Sequence, residues 1–110
     1  DRQGVSFKLA DMAMEIEAAR LLVWRACAAV DAGRDAGLLG SYAKAFAADC
    51  AMRATTDAVQ ILGGAGVMRD HPVEKWMRDA KVLQVVEGTS EIQRQIVATY
   101  LKQGWSERPK

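Results

Sequence analysis

The sequence predicts an all-α, up-down helical bundle of two long helices, one short helix and one C-terminal helix. Three observations carry this. Alanine occurs 19 times in 110 residues, and Leu, Met, Glu, Lys, Gln and Arg fill much of the rest; all are strong helix formers. Apolar residues recur at alternating spacings of three and four, as one helix face requires. β-Branched runs bounded by turns are absent, apart from the short Val82-Leu83-Gln84-Val85-Val86.

From Val5 the stripe Val5, Leu9, Met12, Ile16, Ala19, Val23, Ala26, Val30 predicts the inward face of the first helix. That helix should stop near Asp31-Ala32-Gly33, where glycine takes a left-handed C-cap. After a polar connection over Arg34 to Gly37, a second helix is expected from Leu38 to Leu62. Its stripe is Leu38, Tyr42, Ala45, Ala48, Met52, Thr55, Val59, Leu62. The many alanines between Ala43 and Ala54 would let a neighbouring helix approach closely. Gly63-Gly64-Ala65-Gly66 ends it, since each glycine costs a helix about 1 kcal/mol relative to alanine. Pro72 opens a short helix from Val73 to about Val82. The last helix begins just after Gly88, with Ser90 and Gln93 in a Ser-x-x-Gln capping-box pattern and Glu91 at the positive end of the dipole. Ile92, Ile96, Val97 and Tyr100 form its expected inward face. One domain over residues 1–104 and a polar tail over 105–110 follow.

Lys+Arg is 15 and Asp+Glu is 14, a formal net charge of +1. That balance disfavours nucleic acid as the main partner, because phosphate binding needs a basic surplus. Half the residues are hydrophobic, which argues against disorder. The longest uncharged stretch, Ala58 to Met68, is too short and glycine-rich to span a bilayer. No charged segment followed by an apolar run opens the sequence, so no secretory signal is expected. Cys27 and Cys50 read as two buried thiols in a reducing compartment. With the lone His71 they fall short of a structural zinc site, so no metal is expected. Neither thiol sits in a nucleophile motif.

Two loops depart from the bundle pattern. In Gln60-Ile61-Leu62-Gly63-Gly64-Ala65-Gly66, glycines allow close backbone approach, and exposed amides can hold phosphate oxygens. The plainer reading is a helix C-cap and turn. No Gly-Lys-Ser/Thr follows and no strand precedes, so neither a Walker loop nor a Rossmann fingerprint fits. In Val85-Val86-Glu87-Gly88-Thr89-Ser90-Glu91, a carboxylate follows an apolar run, and a glycine leads into a helix start. A carboxylate stripped of water becomes a usable base near neutral pH, and amides at the helix start can bind an anion. The plainer reading is a surface glutamate before a turn.

These loops resemble the C-terminal helical domain of the acyl-CoA dehydrogenases, flavoenzymes that desaturate acyl-CoA thioesters. The carrying segments are Leu9-Ala10-Asp11-Met12-Ala13 with Ala19-Arg20, and Ala43-Lys44-Ala45-Phe46-Ala47. Ala58-Val59-Gln60-Ile61-Leu62-Gly63-Gly64-Ala65-Gly66 and Pro72-Val73-Glu74-Lys75 follow. Met77-Arg78-Asp79-Ala80-Lys81 and Glu87-Gly88-Thr89-Ser90-Glu91-Ile92-Gln93-Arg94 complete the series. The resemblance covers nearly the whole chain in order, with spacing like that of the medium-chain branch.

The resemblance implies that Glu87 is the base that removes the substrate's α-proton while the β-hydrogen passes as hydride to FAD. Gly88 would lie against the acyl-CoA. Gln60, Ile61, Leu62, Gly63 and Gly64 match a stretch contacting the FAD of a neighbouring subunit. Thr89, Ser90 and Glu91 match a turn contacting FAD phosphates, and Arg2 and Gln3 align with a further FAD-contacting pair. Arg2 is not the usual residue type there, Glu91 stands where some members have Gln, and Val86 replaces a frequent aromatic, so one wall of the acyl pocket would differ.

In the family, an N-terminal helical domain and a middle β-domain precede this one and supply most of the flavin pocket and much of the CoA tunnel. The 110 residues alone are therefore expected to fold without holding FAD tightly or turning over. Implied partners are the acyl-CoA substrate, an electron-transfer flavoprotein as electron acceptor, and further copies in a dimer or dimer of dimers. Bacterial cytoplasm or mitochondrial matrix both suit such a domain. The other reading is a helical oligomerisation module without catalysis, with Glu87 a relic.

Overall fold

A computed structural model describes residues 2–105. Four α-helices form: α1 (Gln3–Asp31), α2 (Gly37–Leu62), α3 (Val73–Leu83) and α4 (Ser90–Lys102). A 3₁₀ turn, Gly63–Val67, lies between α2 and α3. Gly33 stops α1 as the turn chemistry requires. Its φ is 67°; the Arg34 amide donates to Ala29 O and the Gly33 amide to Val30 O, both at 2.9 Å. That is the Schellman pattern, which satisfies carbonyls the helix end leaves open. Gly104 repeats it at the end of α4, with φ 69° and the Trp105 amide donating to Tyr100 O. The polar tail expected over 105–110 lies, Trp105 apart, outside the described residues.

α2 is the axis of the bundle, with α1, α3 and α4 each packed on it. Lys8 near the start of α1 pairs with Asp57 near the end of α2, and Glu15 pairs with Arg53 one turn back. The long helices are therefore antiparallel. α4 also runs antiparallel to α2, since its start meets Asp49 and its Tyr100 meets Gly37. A Cβ on Gly37 would lie 2.2 Å from the Tyr100 hydroxyl, so any larger residue there would displace the Tyr100 ring tip.

The inward faces differ from the predicted stripes. On α1, Val5, Met12, Ala19 and Ala26 turn inward as expected, but Leu9, Ile16, Val23 and Val30 are exposed. Their places are taken by Lys8, Glu15, Leu22 and Ala29. Lys8 and Glu15 hide from an apolar pattern because they are charged, yet each finds an opposite charge on α2. α2 is shielded nearly all round between Leu38 and Ile61, with Arg53, Thr56 and Gln60 exposed, because three helices surround it. On α4, buried Gln93 replaces exposed Ile92 on the inward face. Cys50 is buried, but Cys27 is exposed, contrary to expectation, because it lies beside the inward row rather than on it. Burial, with Glu15 nearby, pushes the Cys50 thiol up in pKa against the opposing pull of Arg53.

α1 packs on α2 alone, and Phe7, Met14, Leu21 and Trp24 stand exposed along its outer side. A helix that packs one side on α2 and shows large apolar side chains on another has a face fit to be covered. The bundle is elongated: its radius of gyration is 16.8 Å, against roughly 13 Å for a compact chain of about 100 residues.

Candidate active site

The turn joining α3 to α4 brings Glu87, Gly88, Thr89, Ser90 and Glu91 together. Glu87 is the one non-glycine residue with positive φ among the described residues, at 54°. Gly88 follows at φ 90°. Two successive left-handed residues reverse the chain sharply, and such a conformation in a glutamate costs roughly 1–2 kcal/mol. It persists only when its surroundings over-determine it.

Those surroundings come from α2 and α4. The Lys44 ammonium donates to Val86 O at 3.0 Å, to Gly88 O at 3.1 Å and to Leu83 O. Gln93 Nε2 donates to Glu87 O at 3.3 Å and Gly88 O at 3.5 Å. One turn further along α2, Asp49 grips the other side. Its Oδ1 accepts from Gln84 Nε2 at 2.8 Å and Ser90 Oγ at 3.1 Å, and its Oδ2 from Arg94 at 2.6 Å. Burial pushes the Asp49 carboxyl up, but the hydrogen bonds from Arg94, Gln84 and Ser90, with the Arg94 charge, outweigh it and hold its pKa below the usual value. The Ser90 amide closes the turn onto Gln84 O at 3.0 Å.

The capping box does not form as predicted. Thr89 is the N-cap, its hydroxyl accepting from the Ile92 amide at 3.2 Å. Ser90 is instead buried against Asp49, and Gln93 serves the Glu87 and Gly88 carbonyls. Both donors of Ser90, amide and hydroxyl, are thus committed inside the chain. The Thr89 hydroxyl keeps its proton for an outside acceptor, and the amides of Glu87 and Glu91 have no partner among the described residues.

Glu87, Val85 and Val86 are all exposed, so the described residues do not wrap this carboxylate in apolar cover. A cleft of about 400 Å³ beside the turn is lined by Lys81, Gln84, Thr89, Glu91 and Arg94, with Glu87 outside its lining.

The remaining predicted residues form a second group. Gln60 lies eleven residues beyond Asp49 on α2, about 17 Å along the axis, so the Gln60–Gly64 stretch is remote from the turn. Arg2 and Gln3 share its end of the bundle, because α1 runs antiparallel and Lys8 already meets Asp57. Gln60, Leu62, Gly63 and Gly64 are exposed, and Ile61 is half-buried. A Cβ on Gly64 would meet nothing within 4 Å, whereas one on Gly66 would lie 2.5 Å from the Val59 carbonyl oxygen. Gly66 therefore serves packing, and Gly63 and Gly64 leave backbone open.

Sequence reasoning missed Lys44, Asp49, Gln84 and Arg94 as the supports of the turn. The available signal was a lone lysine in an alanine-rich helix face and an aspartate beside Ala48 and Cys50, where uncharged residues would pack more simply.

Residues 1–102 match the family model for the C-terminal domain of acyl-CoA dehydrogenases. The chain belongs to that family. An acyl-CoA dehydrogenase of Bacillus subtilis is 56% identical over 102 residues, covering 93% of this chain and 27% of that protein. The structure of butyryl-CoA dehydrogenase from Megasphaera elsdenii superposes with a TM-score of 0.89 at 48% identity, over 91% of this chain and 26% of that one. The FAD complex of PigA superposes with a TM-score of 0.89 at 29% identity, over 94% and 27%. This acyl-CoA dehydrogenase C-terminal domain thus spans about a quarter of the length of these relatives.

Proposed function

We propose that residues 1–104 act as the C-terminal domain of an FAD-dependent acyl-CoA dehydrogenase in which Glu87 removes the α-proton of an acyl-CoA thioester. The observation that carries this is the left-handed Glu87, a carboxylate carried on strained backbone at the surface turn of a domain belonging to that family. A C–H beside a thioester is a very weak acid. Its removal needs a positioned carboxylate and a donor for the charge that develops on the thioester oxygen. Glu87 supplies the carboxylate, and its own unpartnered amide supplies one donor. Gly88 has no side chain to keep the acyl chain away.

The residues fit a flavin dinucleotide. The Thr89 hydroxyl and the Glu91 amide at the start of α4 are open to phosphate oxygens, while Ser90 contributes by tying the turn to Asp49. Arg2, Gln3 and Gln60 to Gly64 would meet the dinucleotide of a neighbouring subunit. Bound FAD would accept the β-hydride. An electron-transfer flavoprotein is the proposed acceptor beyond it.

Because Glu87 is exposed here, the dry cover it needs must come from other parts of the full-length protein or its neighbours. The test is Glu87→Gln in a full-length enzyme carrying this domain. Desaturation should fall by about 10²–10⁴-fold with FAD content and oligomeric state unchanged. The exposed apolar side of α1 favours an assembly role alongside catalysis, and unchanged turnover in that variant would leave assembly as the domain's only role.

A further inference from the structure

The carbonyls flanking Glu87 are both drawn onto one side chain of α2. Lys44 takes those of Val86 and Gly88, and Leu83 besides, so all three donors of its ammonium are used. In a trans peptide the N–H points opposite to the C=O. With the Val86 carbonyl fixed on Lys44, the Glu87 amide is turned away from α2, where it meets no partner among the described residues. Gln93 takes the Glu87 carbonyl on the other side. Two consecutive left-handed residues are thus held by donors on two separate helices.

We propose that Lys44 is a positioning residue for desaturation: by drawing the Val86 and Gly88 carbonyls inward, it aims the Glu87 amide and carboxylate together at the substrate's thioester end. This rests on the reading of Glu87 as the base. A lysine that merely stapled the loop would affect stability and FAD retention, but not the proton-transfer step in enzyme that had folded and loaded. The aim of the Glu87 amide matters because misplacement of a reacting group by about 1 Å costs about 100-fold in rate.

The test uses a full-length acyl-CoA dehydrogenase carrying these residues as its C-terminal domain. Lys44→Met removes the donors and keeps the apolar stem, Lys44→Arg keeps charge and donors, and Lys44→Gln serves if Lys44→Met fails to fold. The probe is an acyl-CoA analogue with sulfur in place of the β-carbon, which can lose its α-proton but no β-hydride; exchange of that proton with D₂O is followed by NMR. Lys44→Met, or Lys44→Gln in its stead, should slow exchange by about 100-fold and lower kcat far more than it raises KM, at wild-type FAD content. Lys44→Arg should recover part of the loss. Exchange within about threefold of wild type in the FAD-loaded variant, or a loss that merely follows FAD content, would overturn the proposal. If wild type exchanges, Glu87→Gln does not and Lys44→Met is normal, only the Lys44 role fails. If Glu87→Gln exchanges like wild type, the reading of Glu87 fails and the Lys44 role with it.

Discussion

Arg94 Nη2 lies 2.6 Å from Asp49 Oδ2 and joins the second turn of α4 to the middle of α2. The same carboxylate holds Ser90 and Gln84, so one side chain fixes both ends of the turn carrying Glu87.

Replacing Asp49 by Ala strands a buried serine hydroxyl and a glutamine amide, at a cost of about 2 kcal/mol in unfolding free energy. The pH dependence has a definite sign. The Asp49 carboxyl is held below its ordinary value of 3.8, so its contribution is full above that value and is lost as pH falls through the folded-state value. Urea unfolding of wild type and Asp49→Asn should therefore differ at pH 7 and converge in acid. A constant difference across that range would remove Asp49 from the linkage.

Glu87→Gly separates stability from function. Relief of the left-handed strain, roughly 1–2 kcal/mol, outweighs the extra chain entropy that glycine loses on folding, about 0.5–1 kcal/mol. The variant should be more stable by up to about 1.5 kcal/mol, seen as a rise of a few degrees in Tm, while desaturation by a full-length enzyme carrying it collapses. Strain kept where it lowers stability is expected at a working residue.

The helices, their glycine stops and the two loops were legible because local chemistry decides them: Gly33 has no Cβ to oppose a left-handed turn, and alanine-rich segments favour helix. The inward faces were less legible, because Lys8 and Glu15 occupy the α1–α2 seam as paired charges, which an apolar pattern skips. Thr89 and Ser90 both carry capping hydroxyls. Asp49, 41 residues earlier in the chain, claims Ser90 and leaves the cap to Thr89. Glu87 could be found from its glycine neighbour and the resemblance, but Lys44 and Asp49 hold it only through tertiary contacts that no local spacing reveals.

Gly66 and Gly64 should respond oppositely to alanine. At Gly66 the new Cβ meets Val59 backbone at 2.5 Å and 3.0 Å, and backbone must shift, costing about 1–3 kcal/mol. At Gly64 there is open space and φ is not positive, so alanine should raise stability by up to about 1 kcal/mol. If Gly64 also meets FAD across a subunit boundary, a full-length enzyme with Gly64→Ala should hold FAD more weakly despite its stable fold. Equilibrium dialysis beside thermal unfolding reads both.

The outer side of α1 predicts self-association of the 110-residue chain. Phe7, Met14, Leu21 and Trp24 are 63%, 63%, 52% and 60% exposed, and large apolar side chains left uncovered along one helix mark an interface. Sedimentation velocity should show concentration-dependent association. Leu21→Glu with Trp24→Glu should abolish it without lowering Tm, since neither side chain supports the α1–α2 seam. A chain that stays monomeric at millimolar concentration would assign that surface to another domain of the same polypeptide.

The exposure of Glu87 governs what the 110-residue chain can do alone. Its side chain is exposed, because Val85 and Val86 face outward and none of the described residues closes over the turn. Proton abstraction from a thioester α-carbon needs a site closed to water, which the exposed turn does not provide. The two surfaces proposed for FAD lie about 17 Å apart along α2, so a single copy offers one dinucleotide only part of its contacts. The purified chain should therefore bind FAD below stoichiometry after gel filtration and reduce no dye with acyl-CoA, whereas adding the preceding domains should restore both. Stoichiometric FAD on the 110-residue chain would mean that the turn and the glycine stretch each suffice, and the shared-site geometry would fall.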